Sequence, residues 1–168
     1  MIENFHEIRR KDRILDEKRA IELLLTAEYG FLSLGESENG YAYGIPISFA
    51  YDLKDNALYF HCAPEGHKLE NMKRNNKVSF CVVGNTQVLG EKFTTLYESV
   101  MVFGKADMDS TEKDKRFALR KLLEKYSPND LETGEKYINT SIDRTQTFKI
   151  TIEKITAKAK IINIKLND

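Results

Sequence analysis

The chain has no long apolar run. Nowhere do its 168 residues string together the ~20 apolar positions that a membrane-spanning helix needs. The first stretch, Met1 to Arg13, is charged throughout and has no apolar core of the kind a secretory leader carries. The expectation is a cytoplasmic protein with no membrane partner. Neither sign of charge is in surplus, with 26 basic and 26 acidic residues. A nucleic-acid binder that works by neutralising phosphates needs an excess of Lys and Arg, so that class is excluded. Cysteine occurs only twice, at Cys62 and Cys81. Two thiols suit small buried side chains in a reducing compartment better than a disulfide framework. No repeat, low-complexity segment or linker interrupts the chain, so residues 1–168 read as one domain with residues 1–13 as an N-terminal arm. A G-x-G-x-x-G fingerprint is absent too, which leaves a nicotinamide nucleotide only a transient place.

What is present is a series of short strands with turn signals. Asp16 to Thr26 has helical spacing with Asp16 as N-cap. Phe31 to Leu34 starts a strand, and Glu38-Asn39-Gly40 is a hairpin turn leading into a strand over Tyr41 to Tyr51. Pro46 removes a ladder donor from that strand, making it an edge or a bulge there. Lys54 to Asn56 turns into a strand over Ala57 to Cys62. Lys77 to Val83 and Tyr97 to Ala106 are further strands, with Gly84 to Gly90 a loop between them and Gly104 a bulge. Thr111 to Tyr126 is an amphipathic helix, Glu132 to Thr140 a shorter one, and Thr145 to Ile155 alternates as a strand. The tail, Ala157 to Leu166, alternates weakly and reads as an added edge strand. Six antiparallel strands with short connections close into a barrel, with the helices outside.

The segment Leu58 to Arg74 is the most informative. A strand runs into a Pro/Gly turn, and a helix then opens with His67 and Lys68. A helix N-terminus carries free N–H groups and partial positive charge, so cations are misplaced there unless an anion sits between. Phosphate is the usual guest at such an end. The residue types alone leave this reading level with a Lys68 that bends into solvent. His61, Cys62, His67 and Cys81 have no compact zinc spacing, and His61 and Cys62 alternate to opposite faces of one strand, so no metal site is expected.

Three segments, Tyr43 to Ser48, Tyr59 to Cys81 and Glu91 to Lys105, resemble the nitroimidazole-resistance proteins of the pyridoxamine 5′-phosphate oxidase-like, flavin-binding split-barrel superfamily. Arg9 to Arg13 and Ser141 to Arg144 resemble it as well. The resemblance implies a mainly β fold, a six-stranded antiparallel split barrel with flanking helices. It also implies a homodimer with flavin at the subunit interface. FMN is the implied cofactor, and FAD fits if its adenylate half trails over the surface. Lys68 then falls where the family binds the flavin phosphate, and His67 falls at the active site, either as a donor to the phosphate or ribityl chain or as a proton carrier. Pro46, Ile47 and Ser48, with Phe60, His61, Cys62 and Ala63, flank the flavin ring. Read without the resemblance, Pro46 to Ser48 is an edge bulge. Thr94, Tyr97 and Ser99 offer hydroxyls to a partner's cofactor, and Arg144 offers a phosphate fork; a surface loop and a surface ion pair are the plain readings of these. The implied activity is reduction of a small-molecule acceptor such as a 5-nitroimidazole. The alternatives are a non-catalytic flavin- or haem-binding barrel, with His61 or His67 as axial ligand, and a pyridoxamine 5′-phosphate oxidase-like enzyme. A C-x-x-C-H haem motif is absent.

Overall fold

Helix α1, Glu17–Thr26, starts where Asp16 accepts the Arg19 N–H at 2.9 Å, the N-cap bond that a short acidic side chain provides. The computed structural model describes residues 5–36 and 39–161. Strands β1 (Gly30–Glu36), β2 (Ala42–Ile47), β3 (Ala50–Asp52) and β4 (Ala57–Cys62) follow. After helix α2 (His67–Arg74) come the long strands β5 (Lys77–Leu89) and β6 (Thr94–Asp107). Helices α3 (Glu112–Tyr126) and α4 (Leu131–Ser141) precede β7 (Gln146–Lys160). No helix among the described residues is long and apolar enough to cross a membrane.

One antiparallel sheet holds seven strands in the order β2-β1-β5-β6-β7-β4-β3. The expected count was six, and the difference has one cause. The strand read as continuous over Tyr41 to Tyr51 breaks at Ser48 and Phe49. Its first half pairs with β1 at one edge of the sheet and its second half with β4 at the other. The barrel is thus closed by the chain itself stepping across the seam. Burial hid the step, because Ala50, Tyr51 and Asp52 are all buried and no alternation marks the change of partner. Pro46 pairs with Phe31 on β2, an edge strand, where a missing N–H costs no ladder bond.

A second correction concerns Gly84 to Gly90, expected as a loop. β5 runs through it to Leu89, with a register shift between Val83 and Thr86. Gly84 lets α1 come close, since a Cβ there would lie 2.7 Å from the Leu23 side chain. Beyond the shift both faces of the hairpin meet solvent, so no hydrophobic period was there to read. Gly104 is the expected irregularity, at the β6–β7 register shift. Residues 157–160 continue β7 rather than forming a strand of their own, and most of the rest of that tail lies outside the described residues, as does Glu38 of the hairpin turn.

Leu32, Leu58, Phe60, Phe80, Val82, Val100, Val102 and Ile150 fill the barrel at essentially zero exposure. Each fully buried side chain of this size stabilises by about 1.5–3 kcal/mol. Phe60 and Phe148 stack across the β4–β7 pair, with centroids 4.6 Å apart and planes 4° from parallel. Outside, α3 covers β4: Ala118 is buried with Ala57 and Tyr59, and Phe117 meets the Tyr59 ring edge-on at 5.3 Å.

Candidate functional site

The β4–α2 junction is built from its backbone outward. β4 ends at Cys62, which pairs with Gln146, and the chain turns through Ala63, Pro64 and Glu65 into Gly66. Gly66 caps α2 with φ 132° and ψ 164°, a conformation that essentially only glycine adopts. No side chain caps this end. The Gly66 carbonyl takes the N–H groups of Leu69 and Glu70, so the earlier donors of the turn point outward without it. Open space surrounds the Gly66 α-carbon on the side where a Cβ would stand.

Side chains converge on this end. His67 is exposed and its imidazole lies 4.2 Å from the Tyr43 ring of β2, tilted by 37°. Lys68 is half-buried and close enough to Cys62 for its charge to oppose the upward push that burial gives that thiol. His61 sits on the outer face of β4, where crowding by its surroundings lowers its pKa and favours the neutral ring. Ala63 is exposed beside it. Pro46 is exposed and Ile47 half-buried on the edge strand that also carries Tyr43, and Ser48, just past its end, is exposed. An anion here would meet N–H donors and a cation together, and a planar ring would meet edge-strand backbone. Among the described residues, no three His, Cys, Asp or Glu side chains cluster as a metal site would require.

The other expected residues lie elsewhere. Phe60 faces inward and is fully buried, main chain included, so it is closed to a surface ligand. Arg144 is exposed two residues before Gln146, the partner of Cys62, and so stands at the same end of the barrel. Thr94, Tyr97 and Ser99 do not join this group. Thr94 and Tyr97 lie in the far part of the β5–β6 ladder, with Thr94 opposite Leu89 and bonded by Lys160 Nζ, and Ser99 lies midway, opposite Val83, whereas the chain enters β5 from α2 at Lys77. A 13-residue strand such as β5 spans roughly 40 Å at about 3.3 Å per residue. Tyr43, Lys125 and Tyr126 carry interactions around the site that the sequence did not single out. Tyr43 stood inside a telling segment, but nothing in strand alternation says which helix will fold across it. The two α3 residues carried no signal beyond ending a helix.

An antiparallel barrel split at one seam, with an uncapped helix terminus and an edge strand side by side, defines the split-barrel class. The chain belongs to the pyridoxamine 5′-phosphate oxidase family, whose family model matches residues 16–159. Solved structures agree on the fold. A proposed 5-nitroimidazole antibiotic resistance protein from Bacteroides thetaiotaomicron superposes with TM-score 0.74 at 23% identity, over 93% of this chain and 96% of its own. An FAD-binding protein from Mesorhizobium loti does so with TM-score 0.64 at 21% identity, over 89% of this chain and 98% of its own. The FAD and heme binding protein from Mycobacterium smegmatis gives TM-score 0.72 at 17% identity, over 89% of this chain and 74% of its own. No curated protein matches the chain.

Proposed function

We propose that this chain is a homodimeric, cytoplasmic flavoprotein that binds FMN at the subunit interface and reduces a small nitro-aromatic acceptor such as a 5-nitroimidazole. The observation that carries the reading is the α2 terminus: a helix end capped by glycine alone, with half-buried Lys68 beside it. A bound flavin supplies the hydride chemistry, and the protein's part is anchoring, orientation and exclusion of water. Lys68 and the first N–H groups of α2 hold the phosphate, with Arg144 at the same barrel end as a second cation. Pro46 to Ser48 and His61 to Ala63 offer main-chain groups to the ring. His67, fixed against Tyr43, borders the acceptor and holds or passes a proton there. FAD would use the same phosphate contacts with its adenylate outside.

Support for the dimer comes from the outer face of the sheet. Pro46, Phe31, Cys81 and Met101 follow one another across four strands in register, and Phe31 is 47% exposed. A second subunit laid there would also bring its own Thr94, Tyr97 and Ser99 toward the α2 terminus. The free thiols Cys62 and Cys81 fit a reducing compartment.

The test is FMN titration of Lys68→Ala, followed by flavin fluorescence. Loss of a charge-assisted phosphate contact raises Kd by roughly tenfold or more; wild-type affinity overturns the assignment. The absorption spectrum of the loaded protein separates flavin from haem. Turnover of a nitro compound with a chemical reductant then separates an enzyme from a carrier.

A further inference from the structure

The chain leaves one sheet edge and joins the other at Ser48 and Phe49, and main-chain groups in such a crossing lose their ladder partners. The last turn of α3 replaces them. The Phe49 N–H donates to Tyr126 Oη at 2.9 Å, and the Phe49 carbonyl accepts from Lys125 Nζ at 2.9 Å. Tyr126 Oη also lies 2.9 Å from the Phe49 carbonyl and 2.5 Å from that of Glu28. A phenol has one proton to give. The shorter contact takes it, which leaves Lys125 as the donor for Phe49.

A lysine is a costly residue for this duty. Its ammonium is half-buried 3.7 Å from the centre of the Phe49 ring, and among the described residues no carboxylate pairs with it. Burial pulls its pKa down to about 8, so at neutral pH it still carries its charge. The ring face of Phe49 offsets part of the lost hydration. What results is an unneutralised cation fastened to the main chain directly behind Ser48.

We infer that Lys125 and Tyr126 are positioning residues for the flavin-facing segment Pro46 to Ser48. They fix the main chain of Phe49, the residue that follows this segment at the seam, and the Lys125 ammonium biases a ring lying against that segment toward its reduced, more negative form. The inference rests on the flavin reading of that segment proposed above.

The experiment compares Lys125→Met, Lys125→Arg and Tyr126→Phe with wild type, with Lys68→Ala alongside. FMN affinity is read by fluorescence titration, midpoint potential by equilibration with a reference dye, and folding by circular dichroism. Lys125→Met weakens FMN binding roughly fivefold, the scale of one hydrogen bond, and lowers the midpoint potential. Lys125→Arg restores the potential, and Tyr126→Phe weakens binding without moving it. A Lys125→Met protein whose flavin keeps the wild-type potential overturns the electrostatic role. Unchanged affinity in both Lys125→Met and Tyr126→Phe overturns the positioning role. Should Lys125→Met not fold, Lys125→Gln and Tyr126→Phe give the same comparison. If Lys68→Ala binds FMN as wild type does, the α2 phosphate reading is what has failed. If Lys68→Ala loses FMN while every Lys125 and Tyr126 variant matches wild type, the positioning role alone has failed.

Discussion

The ring of Tyr43 on β2 rests 4.2 Å from the imidazole of His67 at the start of α2, so the edge strand and the helix terminus are joined by one aromatic contact. The two elements that would hold the ends of a flavin are therefore coupled through this pair. Aromatic pairs of this kind contribute about 0.5–1.5 kcal/mol beyond their burial. Replacing Tyr43 by Ala removes the contact and leaves exposed His67 free to change rotamer; Tyr43→Phe keeps the stack. The expected result is FMN affinity lowered several-fold, by about the free energy of that pair, in Tyr43→Ala and retained in Tyr43→Phe. Equal loss in both variants would assign the effect to the phenol hydroxyl instead of the stack.

Gly66 is the second point at which local backbone decides the site. With φ 132° and ψ 164°, an L-residue there is strained by about 1–3 kcal/mol. A Cβ would meet nothing within 4 Å, so the strain is conformational and not a clash. Gly66→Ala is therefore expected to fold, to melt a few degrees lower, and to rebuild the first turn of α2 with its N–H groups re-aimed. Its flavin affinity falls further than its stability loss explains. A variant with a lowered melting temperature and intact affinity would show that the α2 donors do not hold the phosphate.

Much of this architecture was legible in the residues, and what escaped did so for physical reasons. Asp16 announced a helix start because a short polar side chain satisfies orphan N–H groups, and it does so here. Phe148 and Ile150 announced β7 because one face of it fills the barrel. The Gly-His-Lys opening of α2 stood out because cations are out of place at that end. The seam at Ser48 and Phe49 did not stand out. Phe49, Ala50, Tyr51 and Asp52 are buried on every side, so their pattern is silent about which neighbour they pair with. Lys125 and Tyr126 act 77 residues or so from the backbone they hold, through contacts that only the closed barrel creates.

Arg19 and Glu98 tie α1 to the far half of the β5–β6 hairpin. Arg19 donates twice to Glu98, at 2.8 and 2.7 Å, and Asn85 N–H at the β5 register shift adds a longer contact of 3.4 Å. The Arg19 guanidinium holds the Glu98 carboxyl below its ordinary value near 4.5. A carboxyl with a depressed folded-state pKa stabilises above its unfolded pKa, and that stability is lost as pH falls through the folded value. Glu98 is largely shielded and Arg19 partly so, so Glu98→Gln should cost on the order of 2 kcal/mol at neutral pH. Urea unfolding at neutral pH and again near pH 3 checks the sign, since the wild-type advantage should shrink at the acid end. An advantage independent of pH would mean that the pair contributes through packing alone.

The last prediction concerns the partner subunit. Phe31 and Val83 are 47% and 60% exposed on the outer face of the sheet, beside Cys81 and Met101. Charged residues on that face should leave the barrel core untouched while separating the subunits. Phe31→Asp with Val83→Asp is thus expected to sediment as a monomer, keep its β-sheet spectrum and bind no flavin. The proposed dimer would let Thr94, Tyr97 and Ser99 serve a flavin site built on the α2 terminus of the other subunit. Mixing Lys68→Ala with a Thr94→Ala/Tyr97→Phe variant tests this directly. In the mixed dimer one interface collects both defects and the other collects none, so flavin binding returns at one site although each parent binds poorly. Mixed dimers that bind no better than either parent would mean that both groups of residues serve sites within a single chain, and a Thr94→Ala/Tyr97→Phe parent that binds as wild type does would mean that the hairpin residues serve none.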